Sequence, residues 1–195
     1  MGRIFYLMGK SSSGKDTIYK HLMAKPALGL LPIVQYTTRP IRSEETEGVE
    51  YHFVTEEELD ELDQQGKLIE SRAYHTWLGL WIYATVSDES IDLEHNDYLV
   101  IGTLESFLKV QSYFGSDKVL PIMIECDDGV RLQRALDRER SQEEPKYGEM
   151  CRRFLADEQD FAPEKKAGAG ISRVFENDVL EECIEKICSF IEANR

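Results

Sequence analysis

Residues 4–17 read Ile-Phe-Tyr-Leu-Met-Gly-Lys-Ser-Ser-Ser-Gly-Lys-Asp-Thr, and no other stretch restricts the fold as tightly. The apolar residues 4–8 form an unbroken run, the pattern of a parallel strand buried on both faces. The run ends at Gly9. Beyond Gly14, the apolar residues Ile18, Tyr19, Leu22 and Met23 recur at i, i+4 spacing, which predicts a helix over 15–23. Between strand and helix, Gly9-Lys10-Ser11-Ser12-Ser13-Gly14-Lys15 fits GxxxxGK. In that order the three parts make a cradle for phosphate oxygens. The glycines let successive amides turn inward, the helix N-terminus adds partial positive charge, and Lys15 reaches the β- and γ-phosphates.

The next residue departs from the usual pattern. Ser or Thr after the lysine would help hold Mg²⁺, but this chain has Asp16. A carboxylate oxygen is itself a good Mg²⁺ ligand, so Asp16 is the candidate metal residue, directly or through water. It also sets a negative charge beside a triphosphate, which Lys15 or the metal must offset. Thr17 stands one position on, turned by ~100° around the helix.

Charge bounds the partners. Asp and Glu outnumber Lys and Arg by 37 to 23, a formal charge of −14, which argues against non-specific binding to nucleic acid or to an anionic membrane. An anionic ligand then needs local positive charge, and Lys10, Lys15, Lys20, Arg39 and Arg42 all fall in the first quarter of the chain. No apolar run approaches the ~18 residues of a membrane helix, and the N-terminus lacks the pattern of a secretory signal, so a cytoplasmic location is expected. Cys126, Cys151, Cys183 and Cys188 include no CxxC pair and are expected to be free thiols.

Further along, strands alternate with helices. Residues 33–38, 98–101, 119–125 and 173–176 read as strands. Helices are expected over 104–114, stopped by Gly115; over 129–140, capped by Asp127 or Asp128; over 145–161; and over 180–191. Thr55 and Glu58 form a capping box at the head of another helix, which Gly66 should end. The implied class is α/β, a parallel sheet flanked by helices in one domain of 195 residues. Residues 35–85 do not alternate this way and read as an insertion on the sheet's edge.

The most informative stretch lies in that insertion. Tyr36-Thr37-Thr38-Arg39-Pro40-Ile41-Arg42 sets two arginines three apart outside any helix, where both can converge on one phosphate. Gly48-Val49-Glu50-Tyr51-His52-Phe53-Val54 follows, then Gly66-Lys67-Leu68-Ile69-Glu70, and near the end Val174-Phe175-Glu176-Asn177-Asp178. With the loop upstream, the chain resembles the guanylate kinase family along its length. The resemblance implies a P-loop kinase fold with a monophosphate-binding insertion (35–85) and a helical lid (138–157). It implies ATP-dependent phosphoryl transfer, with Mg²⁺, to a nucleoside monophosphate, GMP or dGMP first.

The resemblance also assigns residues. Gly9, Lys10, Ser11, Ser12, Ser13, Gly14, Lys15, Asp16, Thr17 and Asn177 would bind ATP. Arg39, Arg42 and Tyr51 would bind the acceptor's phosphate, and Glu70 would accept hydrogen bonds from guanine N1–H and the 2-amino group. Lys15, Arg39 and Arg42 would act in catalysis with two lid arginines, Arg153 and either Arg138 or Arg140. The family's aspartates at the end of the third strand are missing from Leu99-Val100-Ile101-Gly102-Thr103, where Thr103 is the nearest polar substitute. Residues 74–85 are longer and more aromatic than the family's turn, with Trp77 and Trp81 available to stack on a base. Two alternatives follow: a kinase of this fold with a different phosphorylated acceptor, and a binding module without catalysis. The sequence carries no signal of oligomeric state.

Overall fold

The computed structural model describes residues 1–76 and 79–195. Along the chain run β1 (Ile4–Gly9), α1 (Lys15–Met23), β2 (Leu30–Pro32), β3 (Gln35–Thr37), β4 (Tyr51–Phe53), α2 (Glu56–Gln64), β5 (Leu68–Thr76) and β6 (Gly79–Val86). Then come β7 (Asp97–Gly102), α3 (Leu104–Phe114), β8 (Val119–Glu125), α4 (Asp128–Arg140), α5 (Tyr147–Asp160), α6 (Pro163–Gly168), β9 (Val174–Glu176) and α7 (Leu180–Ala193).

β1 is the middle of a five-stranded parallel sheet ordered β2-β7-β1-β8-β9. Its run has no polar position because both of its faces are covered. Phe5 and Leu7 pack with Ile18 and Leu22 of α1 and with Cys183, Ile187 and Ile191 of α7. Ile4, Tyr6 and Met8 point the other way, toward Phe107 and Val110 of α3. Period-two alternation thus divides one apolar strand between two cores. The phosphate loop leaves the carboxyl end of this central strand, where open α/β sheets carry their ligands.

Residues 35–86 build a second, four-stranded sheet, ordered β4-β3-β6-β5. The strand expected over 33–38 is β3 alone, in this second sheet, and β2 just before it was not expected. Leu30–Pro32 pairs with β7, and Ile33 still donates to the Leu99 carbonyl (3.2 Å) before the chain crosses to the second sheet. There Thr38 locks the insertion, its N–H donating to the Ile82 carbonyl (3.0 Å) and its hydroxyl accepting from the Ile82 N–H (2.9 Å). The β5–β6 hairpin and α6 were not expected. The helix expected from 145 starts at Tyr147, past Pro145. Asp127 is the cap of α4, accepting from the Val130 N–H at 3.1 Å. The Thr55–Glu58 capping box closes in both directions, at 3.1 and 2.8 Å. No described helix is long and apolar enough to cross a membrane. All four cysteines are unpaired.

Candidate active site

The phosphate loop turns on two left-handed residues, Ser12 (φ 61°) and Gly14 (φ 91°). Gly14 heads α1, and a Cβ there would lie 2.2 Å from Asn177 Nδ2, so only glycine fits. Asn177, just past β9, donates its amide to the Ser13 carbonyl at 2.8 Å and its backbone N–H to the Glu125 carbonyl at 2.8 Å. The Ser12 and Ser13 hydroxyls and Asn177 Oδ1 are buried without a partner among the described residues. Three orphaned oxygens around one loop are a feature that a polar ligand would explain. Lys15 opens α1 half-buried and in no ion pair among the described residues, while Asp16 and Thr17 are exposed on its first turn.

Beneath the loop lies Arg131 of α4, a residue the sequence reading missed. Its side chain is 1% exposed. Nε donates to the Ser11 carbonyl (3.0 Å) and Nη2 to Asp157 Oδ2 of α5 (3.0 Å); Nη1 meets Asp128, and the guanidinium lies 4.8 Å above the Phe154 ring. The same Asp157 oxygen accepts from the Ser11 N–H (2.8 Å), and Lys10 pairs with Glu158 (2.5 Å). α4, α5 and the loop are thus tied into one piece.

A cleft of about 350 Å³ opens beside this clamp. Ser11 and Ser12 form one wall, Arg42 of the insertion enters from another, and Arg138 of α4 and Arg153 of α5 face them. Arg140, expected with Arg138 as the alternative lid arginine, does not line the cleft; it is exposed and, among the described residues, pairs only with Asp137, at 3.8 Å. Two residues apart on a helix means ~200° of rotation, so only one of the two can face inward. Arg131, Ala135, Arg138 and Glu139 of α4 all line the cleft, an i, i+4, i+7, i+8 stripe that helical periodicity could have revealed. Arg153 and Arg152 both donate to Glu149 (2.9 and 2.7 Å), which holds its carboxyl down at about 2, Arg152 contributing most.

In the insertion Arg39 is buried, its fork on both Glu45 oxygens (2.7 and 2.5 Å) and its guanidinium 5.2 Å from the Tyr51 ring centroid. Glu45 also accepts from the Arg42 N–H (2.9 Å). The Arg39 hydrogen bonds hold the Glu45 carboxyl at about 2, against an ordinary 4.5. A depressed acid contributes its stability fully above 4.5 and loses it as pH falls toward 2. Urea midpoints measured at pH 5 and pH 3 should therefore fall further for the wild type than for Glu45→Gln; equal falls would sink this assignment.

Glu70, on β5, is sealed and engaged. Arg72 donates to both its oxygens (Nε 3.1 Å, Nη2 3.3 Å) and the Thr85 hydroxyl donates to Oε1 (2.8 Å). Thr103 caps α3, its hydroxyl accepting from the Ser106 N–H (3.2 Å). Trp81 is half-buried on β6, and Trp77 lies outside the described residues.

Known proteins resemble this chain in sequence and in fold. The sequence profile of a family described as Guanylate kinase matches residues 1–97. A guanylate kinase of Chlorobaculum tepidum is 30% identical over 138 residues, 69% of this chain and 67% of that protein. One of Aliivibrio fischeri is 32% identical over 97 residues, 47% of this chain and 46% of that protein. One of Neisseria gonorrhoeae is 42% identical over 69 residues, 35% and 33%. The match thus spans half or less of the length of several such relatives. A crystal structure of guanylate kinase from Anaplasma phagocytophilum superposes with a TM-score of 0.65 at 22% identity, covering 98% of this chain and 85% of that one. At that identity the likeness is one of fold.

Proposed function

The chain belongs to the guanylate kinase family, and from that premise we propose that it transfers a phosphoryl group from ATP to a nucleoside monophosphate, with GMP or dGMP as the leading acceptor. The observation that carries this reading is the cleft itself. The serines of a phosphate cradle and an arginine of the acceptor insertion face Arg138 and Arg153 across one space.

The reaction asks for little covalent work. The acceptor's phosphate oxygen is already a nucleophile, so no general base is needed. Lys15 and the loop amides would hold the donor's β- and γ-phosphates, Arg42 would align the acceptor, and the lid arginines would neutralise charge spreading onto the transferring group. Arg153 and Arg42 are positioned to do so only if the cleft shuts out water, which otherwise competes as acceptor. The residues fit a magnesium ion of the kind that keeps its waters and substrate phosphates. Asp16 is an exposed carboxylate on the first turn of α1, and no all-protein metal cluster exists among the described residues. Mg²⁺, when bound there, would offset charge on the β- and γ-phosphates. A cytoplasmic, ATP- and Mg²⁺-dependent enzyme is the reading these features support. The binding-module alternative is less favoured because both loop glycines and Lys15 are intact.

A second reading, a different phosphorylated acceptor, is favoured by one observation: Glu70 is already bound by Arg72. A coupled ADP-release assay with ATP and Mg²⁺ against GMP, dGMP, AMP, UMP and CMP tests both. Acceptor-dependent ADP release is expected, and Arg42→Ala should raise the acceptor's KM by about 10–100-fold, the range for losing a charge-assisted pair of hydrogen bonds. ADP release no faster than in acceptor-free buffer would sink the kinase reading.

A further inference from the structure

α5 is a helix without a core of its own. None of its fourteen residues is buried, so apolar packing alone does not fix where it lies. What holds it is polar and lies toward its end. Glu149, Met150, Arg153 and Phe154 of α5 line the cleft. Asp157 stands one turn beyond Arg153, on the same side of the helix, and it meets the phosphate loop. Its side chain is 13% exposed, while those of the helix's other charged residues are 39% or more. Among the charges of α5, only this one is enclosed.

The contact closes a ring. The Ser11 N–H donates to Asp157 Oδ2 (2.8 Å), Arg131 Nη2 donates to the same oxygen (3.0 Å), and Arg131 Nε returns to the Ser11 carbonyl (3.0 Å). Both backbone groups of one loop residue are thus held by a single ion pair. The neighbouring residues Lys10 and Glu158 repeat the tie at 2.5 Å. Ser12 needs this support. The Ser13 N–H closes a turn onto the Lys10 carbonyl (3.2 Å), and within it Ser12 stands at φ 61°, which a serine keeps only where its surroundings impose it. Ser12 and Arg153 line the same cleft. The carboxylate that fixes the turn therefore also fixes the helix that carries Arg153.

We propose that Asp157 is a positioning residue: it seats α5 on the phosphate loop, so that Arg153 and the Ser12 turn address the same phosphoryl group. Its effect is indirect, through Arg153 four residues back and through Ser11. Arg131 neutralises it, which lets an acid stand beside an anion site. Phosphoryl transfer demands this kind of placement, since a misplacement of about 1 Å costs up to about 100-fold in rate. The consequence for transfer rests on the kinase reading; the seating of α5 does not.

Three readouts on the full chain test it: ADP release with ATP, Mg²⁺ and GMP; ATP affinity by calorimetry; and amide hydrogen exchange. Asp157→Ala should lower kcat by about 10-fold or more. ATP affinity should stay within about 3-fold or tighten, because a negative charge has left the neighbourhood of the phosphates. Asp157→Asn keeps an oxygen for the Ser11 N–H and should restore kcat to within about 3-fold of the wild type. In an Arg153→Ala background, adding Asp157→Ala should cost less than about 3-fold, as expected of residues that act as a unit. Exchange over residues 150–157 should be at least about 10-fold faster in Asp157→Ala. Where Asp157→Ala does not fold, Asp157→Glu keeps the charge beside Arg131 but lengthens the strut by one methylene, and kcat should fall by about 5-fold or more. An unchanged kcat in a folded variant, the full loss repeated in the Arg153→Ala background, or unmoved exchange overturns the proposal. A wild type that releases no ADP removes the kinase reading instead, and the exchange comparison still decides whether Asp157 seats α5.

Discussion

Lys15→Ala should lower kcat by on the order of 10³-fold, the scale seen when one preorganised charge is removed from a phosphoryl-transfer or oxyanion site. The argument rests on what Lys15 is not doing in the fold. It is half-buried at the start of α1 and makes no ion pair among the described residues. It also stands where a cation is unwelcome, at the positive end of a helix dipole. Removing it should leave stability unchanged or raise it by a few tenths of a kcal/mol, well inside the range of surface substitutions. Thermal unfolding and single-turnover ADP release on the same preparation separate the two effects. A fall in rate of less than about 10-fold with an unchanged unfolding midpoint would mean that Lys15 does not face the transferring group.

Much of this loop was legible because its signals are local. An apolar run, a glycine at each end and a helical repeat lie within twenty residues, and each obeys a short-range rule. The Thr55 capping box was legible for the same reason. The insertion was recognised as a unit, but its sheet was not. β5 and β6 meet water along much of their length and shift register near Glu70, so neither shows clean alternation. The arginines divide instructively. Arg39 and Arg42 drew notice because a Pro-broken segment has no helix face on which to solvate them, but the Glu45 carboxylate that takes the Arg39 fork was not legible. Arg131 looked like any charged residue of an amphipathic helix, and its partners Ser11 and Asp157 lie 120 and 26 residues away. Arg72 went unnoticed because nothing in a strand's sequence announces an ion pair to a residue two positions back on the same face. In both cases a contact made only by the folded chain decides what the charge does.

Arg131→Met should destabilise the fold by about 3–5 kcal/mol, the usual cost of breaking a buried ion pair from one side. Methionine refills the volume over Phe154, so the loss isolates the charge. Asp128 and Glu158 are half-exposed and can turn back to water. Asp157 cannot do so as easily: its side chain is 13% exposed and one oxygen is already committed to the Ser11 N–H. Without Arg131 that carboxylate sits uncompensated beside the phosphate cradle, and it would repel the anion that the cradle serves. ATP affinity should therefore fall with stability, measured by calorimetry at a temperature where the variant is folded. Arg140→Ala provides the contrast, since an exposed arginine paired at 3.8 Å should cost less than about 0.5 kcal/mol. Should Arg131→Met unfold at the wild-type midpoint, the tie between α4, α5 and the loop bears no energy. Should it unfold early yet bind ATP as tightly as the wild type, the tie holds the fold and leaves the cradle's shape to Gly14 and Asn177 alone.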